Sequence, residues 1–140
     1  MQSTLVIATH NAHKTEEIRA ILGAHFGEIL DLSSYPDIPP ADETGTTFEE
    51  NATIKALEAS RALGEGVSVL SDDSGLEVDA LEGAPGVYSA RYSGEGATDA
   101  SNRVKLLAEL ERVGARGKER SGRFRCVMVL VRGGEKLAVF

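Results

Sequence analysis

Cysteine occurs once in these 140 residues, at Cys126. A lone thiol excludes an intramolecular disulfide and a cysteine-based zinc cluster. Set among apolar residues of a strand, Cys126 reads as a buried core thiol. Basic residues are outnumbered, with 15 Lys and Arg against 22 Asp and Glu and a formal charge of −7. That balance argues against a general nucleic-acid binder, whose phosphate contacts need a net basic surface. It is compatible with a small anionic ligand, since a few placed lysines and a divalent cation suffice locally. No N-terminal apolar stretch approaches the length of a signal peptide or a membrane span, so the expectation is a cytoplasmic protein with no membrane partner. Repeats, low-complexity tracts and linkers are missing as well. The length fits one domain over residues 1–140.

What is present is strand and helix in alternation. Thr4 to Ala8 is a nearly continuous apolar run, suited to a strand buried on both faces. Asn11 is the expected cap of a helix whose apolar face is Ile18, Ile21 and Leu22, with Glu16, Glu17 and Arg19 outward. Glu28 to Ser33 predicts a second strand, and "SSYPDIPPADETG" an acidic, Pro-rich loop. Thr47 and Glu50 fit a capping box for a helix reaching about Leu63, which Gly64 and Gly66 stop. Asn51, Lys55 and Glu58 share one face of that helix. Val67 to Leu70 predicts the next buried strand, carrying Asp72 and Asp73 at its C-terminal end, and Glu77 to Leu81 continues extended. A Gly-rich loop, "EGAPGVYSARYSGEGATD", precedes a helix capped by Thr98 or Asp99 and ending near Arg112. Its apolar side is Val104, Leu107, Ala108 and Leu110. "RFRCVMVLVRGGEKLAVF" then reads as a β-hairpin turning at Gly133 and Gly134.

Two stretches carry chemistry. "THNAHK", Thr9 to Lys14, joins a buried strand to a helix start, where backbone N–H groups attract anions. Lys14 opposes the helix dipole there, and a ligand phosphate would compensate it. The G-x-x-x-x-G-K-[ST] pattern of a Walker loop is absent, and an ordinary Asn cap explains the same residues. His10 and His13 have no third ligand nearby in sequence and are not assigned to a metal. In "VLSDDSGLEVD" two adjacent carboxylates repel each other, so the strand end calls for a cation or an exposed turn. With Asp42 and Glu43 from the acidic loop, the oxygen donors suit Mg²⁺, which completes its shell with water and substrate phosphates. Arg91 reads equally as a phosphate contact and as an exposed or interface arginine.

"ATHNAHKTEEI", "ETGTTFEENATIKA", "DDSGLEVDALEGAPGVYSARYSG" and "RFRCVMVL", in this order and spacing, resemble the inosine triphosphate pyrophosphatase family. These enzymes act on non-standard purine nucleoside triphosphates. The resemblance runs over essentially the whole chain, and its third segment is the most specific. It implies a mixed α/β fold with a twisted sheet flanked by helices, two lobes about a groove, and homodimers. It also implies Mg²⁺-dependent hydrolysis of ITP, dITP or XTP to the monophosphate and pyrophosphate. Carried over by position, Thr9, His10, Asn11, Ala12, His13 and Lys14 form the substrate-phosphate loop. Asp73 is the catalytic carboxylate and a metal ligand, with Asp42 and Glu43 the other acidic metal position. Lys55 faces phosphate and Ser74 contacts substrate.

Two departures accompany the resemblance. His10 stands where glycine or serine is expected. The aromatic "FGYD"-like loop and "SHR"-like motif that hold the base in the family do not occur, so the chain reads as truncated at its C-terminus, with low activity and little purine preference expected. A phospho-acceptor signalling domain would need an acidic pair directly after the first strand, where this chain has "THNAHK". A non-catalytic nucleotide-binding protein is the other alternative.

Overall fold

The structure, a computed structural model, describes residues 3–140. The strands are β1 (Thr4–Ile7), β2 (Glu28–Asp31), β3 (Val67–Val78), β4 (Gly122–Arg132) and β5 (Glu135–Val139), and the helices are α1 (Ala12–Leu22), α2 (Phe48–Leu63) and α3 (Asp99–Arg112). The strands make one mixed sheet in the order β2-β1-β3-β4-β5. β1 runs parallel to both β2 and β3, while β4 and β5 pair antiparallel. The mixed α/β architecture expected from the sequence is the one observed. No described helix is long and apolar enough to cross a membrane.

The described residues form two compact units, and the chain passes between them within β3 and again within β4. The first holds the residues up to Asp73 together with Val127–Phe140. Its sheet is covered on both sides, and residue parity along each strand decides which side a chain atom joins. Leu5, Ile7 and Leu70 pack with Ile18 of α1 and Ile29. Val6, Ala8 and Val69 pack with Ala52, Ala56 and Ala59 of α2 and with Val129 and Val131 of the hairpin. Burial on two faces is why β1 reads as an unbroken apolar run. The alanines of α2 keep the helix close to the sheet, and Ala52 and Ala56 are fully buried.

The helix starts are capped as expected. Asn11 Oδ1 accepts the N–H groups of His13 (3.0 Å) and Lys14 (3.4 Å). Thr47 Oγ1 accepts from Glu50 N at 3.1 Å. The return arm of that box differs, because the Glu50 carboxylate takes the N–H of Thr46 (2.7 Å) rather than that of the cap. Ile21 does not join the apolar face of α1 and is 73% exposed. The buried residues there are Thr15 and Ile18, since α1 is rolled towards Asp31. That carboxylate accepts from the hydroxyls of Thr15 and Ser33 and from Ser33 N.

The second unit, Ser74–Cys126, has a small core of Val78, Leu110 and Ala115, flanked by Leu76, Ala80, Leu81 and Leu106. The inward face of α3 is therefore Leu106 and Leu110, spaced i, i+4, and the expected Val104 and Leu107 are 69% and 57% exposed. β3 is one strand of 12 residues, with Asp72 and Asp73 within it rather than at its end. Asp79–Leu81 turns into a 3₁₀ helix instead of continuing extended, and the Gly-rich stretch contains another, Gly86–Arg91. Side-chain hydrogen bonds supplement so small a core. Asn102 Nδ2 donates to the carbonyls of Ser89 and Ala90, while its Oδ1 accepts from Ser93 N and Oγ. Cys126 is exposed, not buried. Burial on β4 begins only beyond it, at Val129 and Val131. Gly133 and Gly134 make the hairpin turn with φ of 59° and 76°, the left-handed pair such two-residue turns require.

Burial alone would raise the carboxyl pKa of Asp31, but the hydrogen bonds from Ser33 and Thr15 and the Arg19 charge outweigh it and hold the group below its ordinary 3.8. A lowered folded-state pKa gives stability that is complete above pH 3.8 and is lost as pH falls through the lowered value. Asp31→Asn puts an amide donor against hydroxyl donors and should cost about 1–3 kcal/mol in urea unfolding at pH 7. The deficit against the unaltered chain should shrink as the pH is lowered below 3.8.

Candidate active site

Register brings the polar residues of the first unit together. Ile7 pairs with Leu70 and Thr4 with Val67 in the parallel ladder, and Ala8 N donates to the Leu70 carbonyl at 2.8 Å. Asp72, two residues past Leu70, therefore comes level with the loop that leaves β1. In open α/β sheets this carboxyl end of the parallel strands is where ligands bind.

The loop Thr9–Asn11 is folded on itself. Asn11 N donates to Thr9 Oγ1 at 3.0 Å, and the Thr9 carbonyl accepts from Leu32 N at 3.0 Å. The Asn11 side chain occupies two of the helix-start donors, as described above. The lysine of the first turn is compensated from within the chain, because Lys14 Nζ donates to both carboxylate oxygens of Asp72, at 3.0 and 2.8 Å. Asp72 is almost buried, with 8% of its side chain exposed against 33% for Lys14. The two neighbouring carboxylates thus do not rely on a cation alone. Asp72 has an ammonium partner, and successive residues of a strand direct their side chains to opposite faces. Asp73 is buried at 9% exposure.

A cavity of about 190 Å³ opens beside this loop. Thr9 and His10 line it from one side, Glu43 from the acidic loop, and Lys55 and Glu58 from α2; Ile38, Pro39 and Pro40 supply apolar wall. Lys55 Nζ stands 3.1 Å from Glu43 Oε1, both partly buried. Helical spacing placed Lys55 and Glu58 on one face, and both reach the cavity. Asn51 is drawn inward instead, 1% exposed, and its Oδ1 accepts from Gly45 N at 2.7 Å. With the Glu50–Thr46 contact this clamps the acidic loop onto α2. Asp42 is exposed and its carbonyl accepts from Thr44 N, so Glu43 is the residue of that pair on the cavity. Ala12 and His13 are exposed in the first turn of α1.

Ser74 and Arg91 belong to the second unit. Ser74 is exposed and lines a cavity of about 440 Å³ there, with Leu76, Ser89, Tyr92, Asn102 and Phe124. The Arg91 guanidinium lies 5.3 Å from the centre of the Tyr88 ring, a cation–π contact.

The carboxylates of the first unit are oxygen donors, the ligand type that a hard cation takes. Among the described residues, no group of three or more His, Cys, Asp or Glu is gathered tightly enough to hold a metal unaided. Mg²⁺ asks less of the protein, one or two carboxylates with water and phosphate oxygens completing its shell. Glu43 and Glu58 on the cavity, with buried Asp73, are oxygen donors of that kind. The cavity walls Ile38 to Pro40 and the Lys14–Asp72 pair were not legible as site features. The first looked like plain loop, and the second joins residues 58 positions apart.

Residues 5–140 match the sequence model of the Ham1 family. The chain is 51% identical over 136 residues to the dITP/XTP pyrophosphatase of Geobacter sulfurreducens, covering 97% of this chain and 66% of that protein. It is 50% identical over 137 residues to the dITP/XTP pyrophosphatase of an Exiguobacterium species, covering 96% and 66%. The chain therefore spans just under two thirds of the length of these relatives. Among solved structures, a HAM1 protein from Coxiella burnetii superposes with a TM-score of 0.86 at 37% identity, over 99% of this chain and 68% of that one. A dITP/XTP pyrophosphatase from Mycobacterium abscessus gives 0.81 at 37% identity, over 98% and 70%. Its fold, its motifs and these likenesses agree that the chain belongs to the Ham1 family.

Proposed function

We propose that the cavity between β1 and α2 takes the triphosphate of a non-standard purine nucleotide, ITP, dITP or XTP. The reaction is Mg²⁺-dependent hydrolysis to the nucleoside monophosphate and pyrophosphate, in a cytoplasmic homodimer. The observation that carries this reading is the meeting of Glu43 and Lys55 on one cavity wall with Thr9 and His10 of the loop after β1. Cation and carboxylate at the carboxyl end of a parallel strand pair are what a metal-bound polyphosphate needs. The names of the relatives, dITP/XTP pyrophosphatases, supply the substrate class.

In this reading the loop Thr9, His10, Asn11, Ala12, His13 and Lys14 receives phosphate oxygens, and Lys55 meets them from α2. Lys55 is held by Glu43 at 3.1 Å, so its ammonium is oriented before the substrate arrives. Asp73 accepts the proton of the attacking water, which adds to the α-phosphorus while the bond to the bridging oxygen breaks and pyrophosphate departs. The charge on the departing group is offset by Lys14 and Lys55. Asp73 and Glu43, with Asp42 beside it, would hold Mg²⁺, which supplies polarisation of the phosphoryl group and neutralises triphosphate charge.

Pyrophosphate release from ITP and XTP with Mg²⁺, run beside dATP and GTP, tests the reading, and release from ITP and XTP is the expected outcome. Binding without release would leave a nucleotide-binding protein instead. Asp73→Asn should lower turnover about 10²- to 10⁴-fold with a thermal midpoint close to that of the unaltered chain. Retention of near-normal turnover would remove Asp73 from the chemistry. Gly45→Ala tests the clamp on the acidic loop, since a Cβ there would lie 2.6 Å from Glu50 Cβ and 2.7 Å from Asn51 Oδ1. Displacing the loop moves Glu43 from Lys55, and KM for ITP should rise on the order of tenfold. An unchanged KM would show that the cavity does not depend on that loop.

A further inference from the structure

We propose that Asp72 is the positioning residue of Lys14, fixing its ammonium at the mouth of the phosphate loop and offsetting its charge, and that Asp72 is not a metal ligand. The proposal rests on the phosphate-binding reading of that loop. Three observations lead to it. The contact is doubly hydrogen-bonded, with Lys14 Nζ at 3.0 and 2.8 Å from the two oxygens of one carboxylate. A carboxylate engaged through both oxygens by an ammonium is a poor cation ligand, since the metal would have to displace a like charge. The pair is also asymmetric in exposure, Asp72 at 8% and Lys14 at 33%. The carboxylate is the fixed half, held in the sheet, and the lysine is the half that solvent or a ligand can reach.

The location supplies the need for the pair. Lys14 N donates to the Asn11 cap within the first turn of α1, where a positive side chain opposes the helix dipole. Without a counter-charge the ammonium would swing to solvent on its flexible stem. Two of its three donors go to Asp72, which leaves the third for an arriving phosphate oxygen. Division of labour along β3 follows: Asp72 serves the lysine, and Asp73 leaves the strand on the opposite face.

A binding cycle in metal-free buffer separates this role from the alternatives. Inorganic tripolyphosphate is titrated by calorimetry into the unaltered chain, Asp72→Asn, Lys14→Met and the double variant, with circular dichroism confirming the fold of each. Removing the carboxylate releases the Lys14 ammonium from its place, and tripolyphosphate binding should weaken about three- to tenfold. In the Lys14→Met background the same change at Asp72 should do nothing, because its effect passes through the lysine. Asp72→Glu, which keeps the charge, should stay within about twofold of the unaltered chain. Should Asp72→Asn not fold, Asp72→Ser removes the charge with less bulk and carries the same expectation. Unchanged or tighter binding in Asp72→Asn, or an effect that persists without Lys14, overturns the proposal while leaving the loop as a phosphate site. If the unaltered chain binds no tripolyphosphate, the phosphate reading falls and the proposal with it.

Discussion

Burial of β1 on both faces is the constraint from which the first unit follows. Leu5 and Ile7 are covered from the α1 side, and Val6 and Ala8 from the α2 side. A strand with no solvent face must have a neighbour along each edge to satisfy its backbone, and β2 and β3 fill both positions in parallel. Parallel neighbours align their carboxyl ends. The loop after β1, the 3₁₀ turn after β2 and the acidic residues of β3 are thereby gathered at one end of the sheet, with the Thr9 carbonyl tied to Leu32 N. The polar residues there pair with one another and add to the hold of the apolar core. They occupy the place where the apolar core stops.

At that end each charge is met locally. Lys14 answers Asp72, Lys55 answers Glu43, and Asp31 is satisfied by Thr15, Ser33 and the charge of Arg19. At Asp31, against the effect of burial, the hydrogen bonds and the Arg19 charge hold the carboxyl below its ordinary value. The pairing also means that Lys14 and Lys55 are oriented by their partners. In a chain of net charge −7, both of these lysines are held at a defined place by an acidic partner. Salt screens such partly buried pairs less than surface ones.

The sequence was most legible where one local rule acts alone. The apolar run of β1, the caps at Asn11, Thr47 and Thr98, the end of α2 at Leu63 and the glycine turn of the hairpin all stand as read. Reading failed where two elements compete for one face. Ile21 and Leu107 have helical spacing, yet the packing partner lies on the side of Ile18 or of Leu106 and Leu110. Cys126 has apolar neighbours in sequence but stands where β4 carries no core contact. The acidic pair suggested the end of a strand because strand ends are where repulsion is usually relieved. Here a lysine from another element relieves it inside a longer strand.

By itself, then, the sequence determined the elements, their caps, the family and the set of polar residues from which a site could be made. Those depend on spacing and on residue type, which are local or are carried in motifs. Tertiary structure alone decided that Asp72 faces Lys14, that Glu43 rather than Asp42 reaches the cavity with Lys55, and that Asn51 turns inward to hold Gly45. Each of these depends on the register of parallel strands and on the roll of a helix against a sheet. Register and roll are fixed by burial summed over many residues, and no short stretch contains that sum.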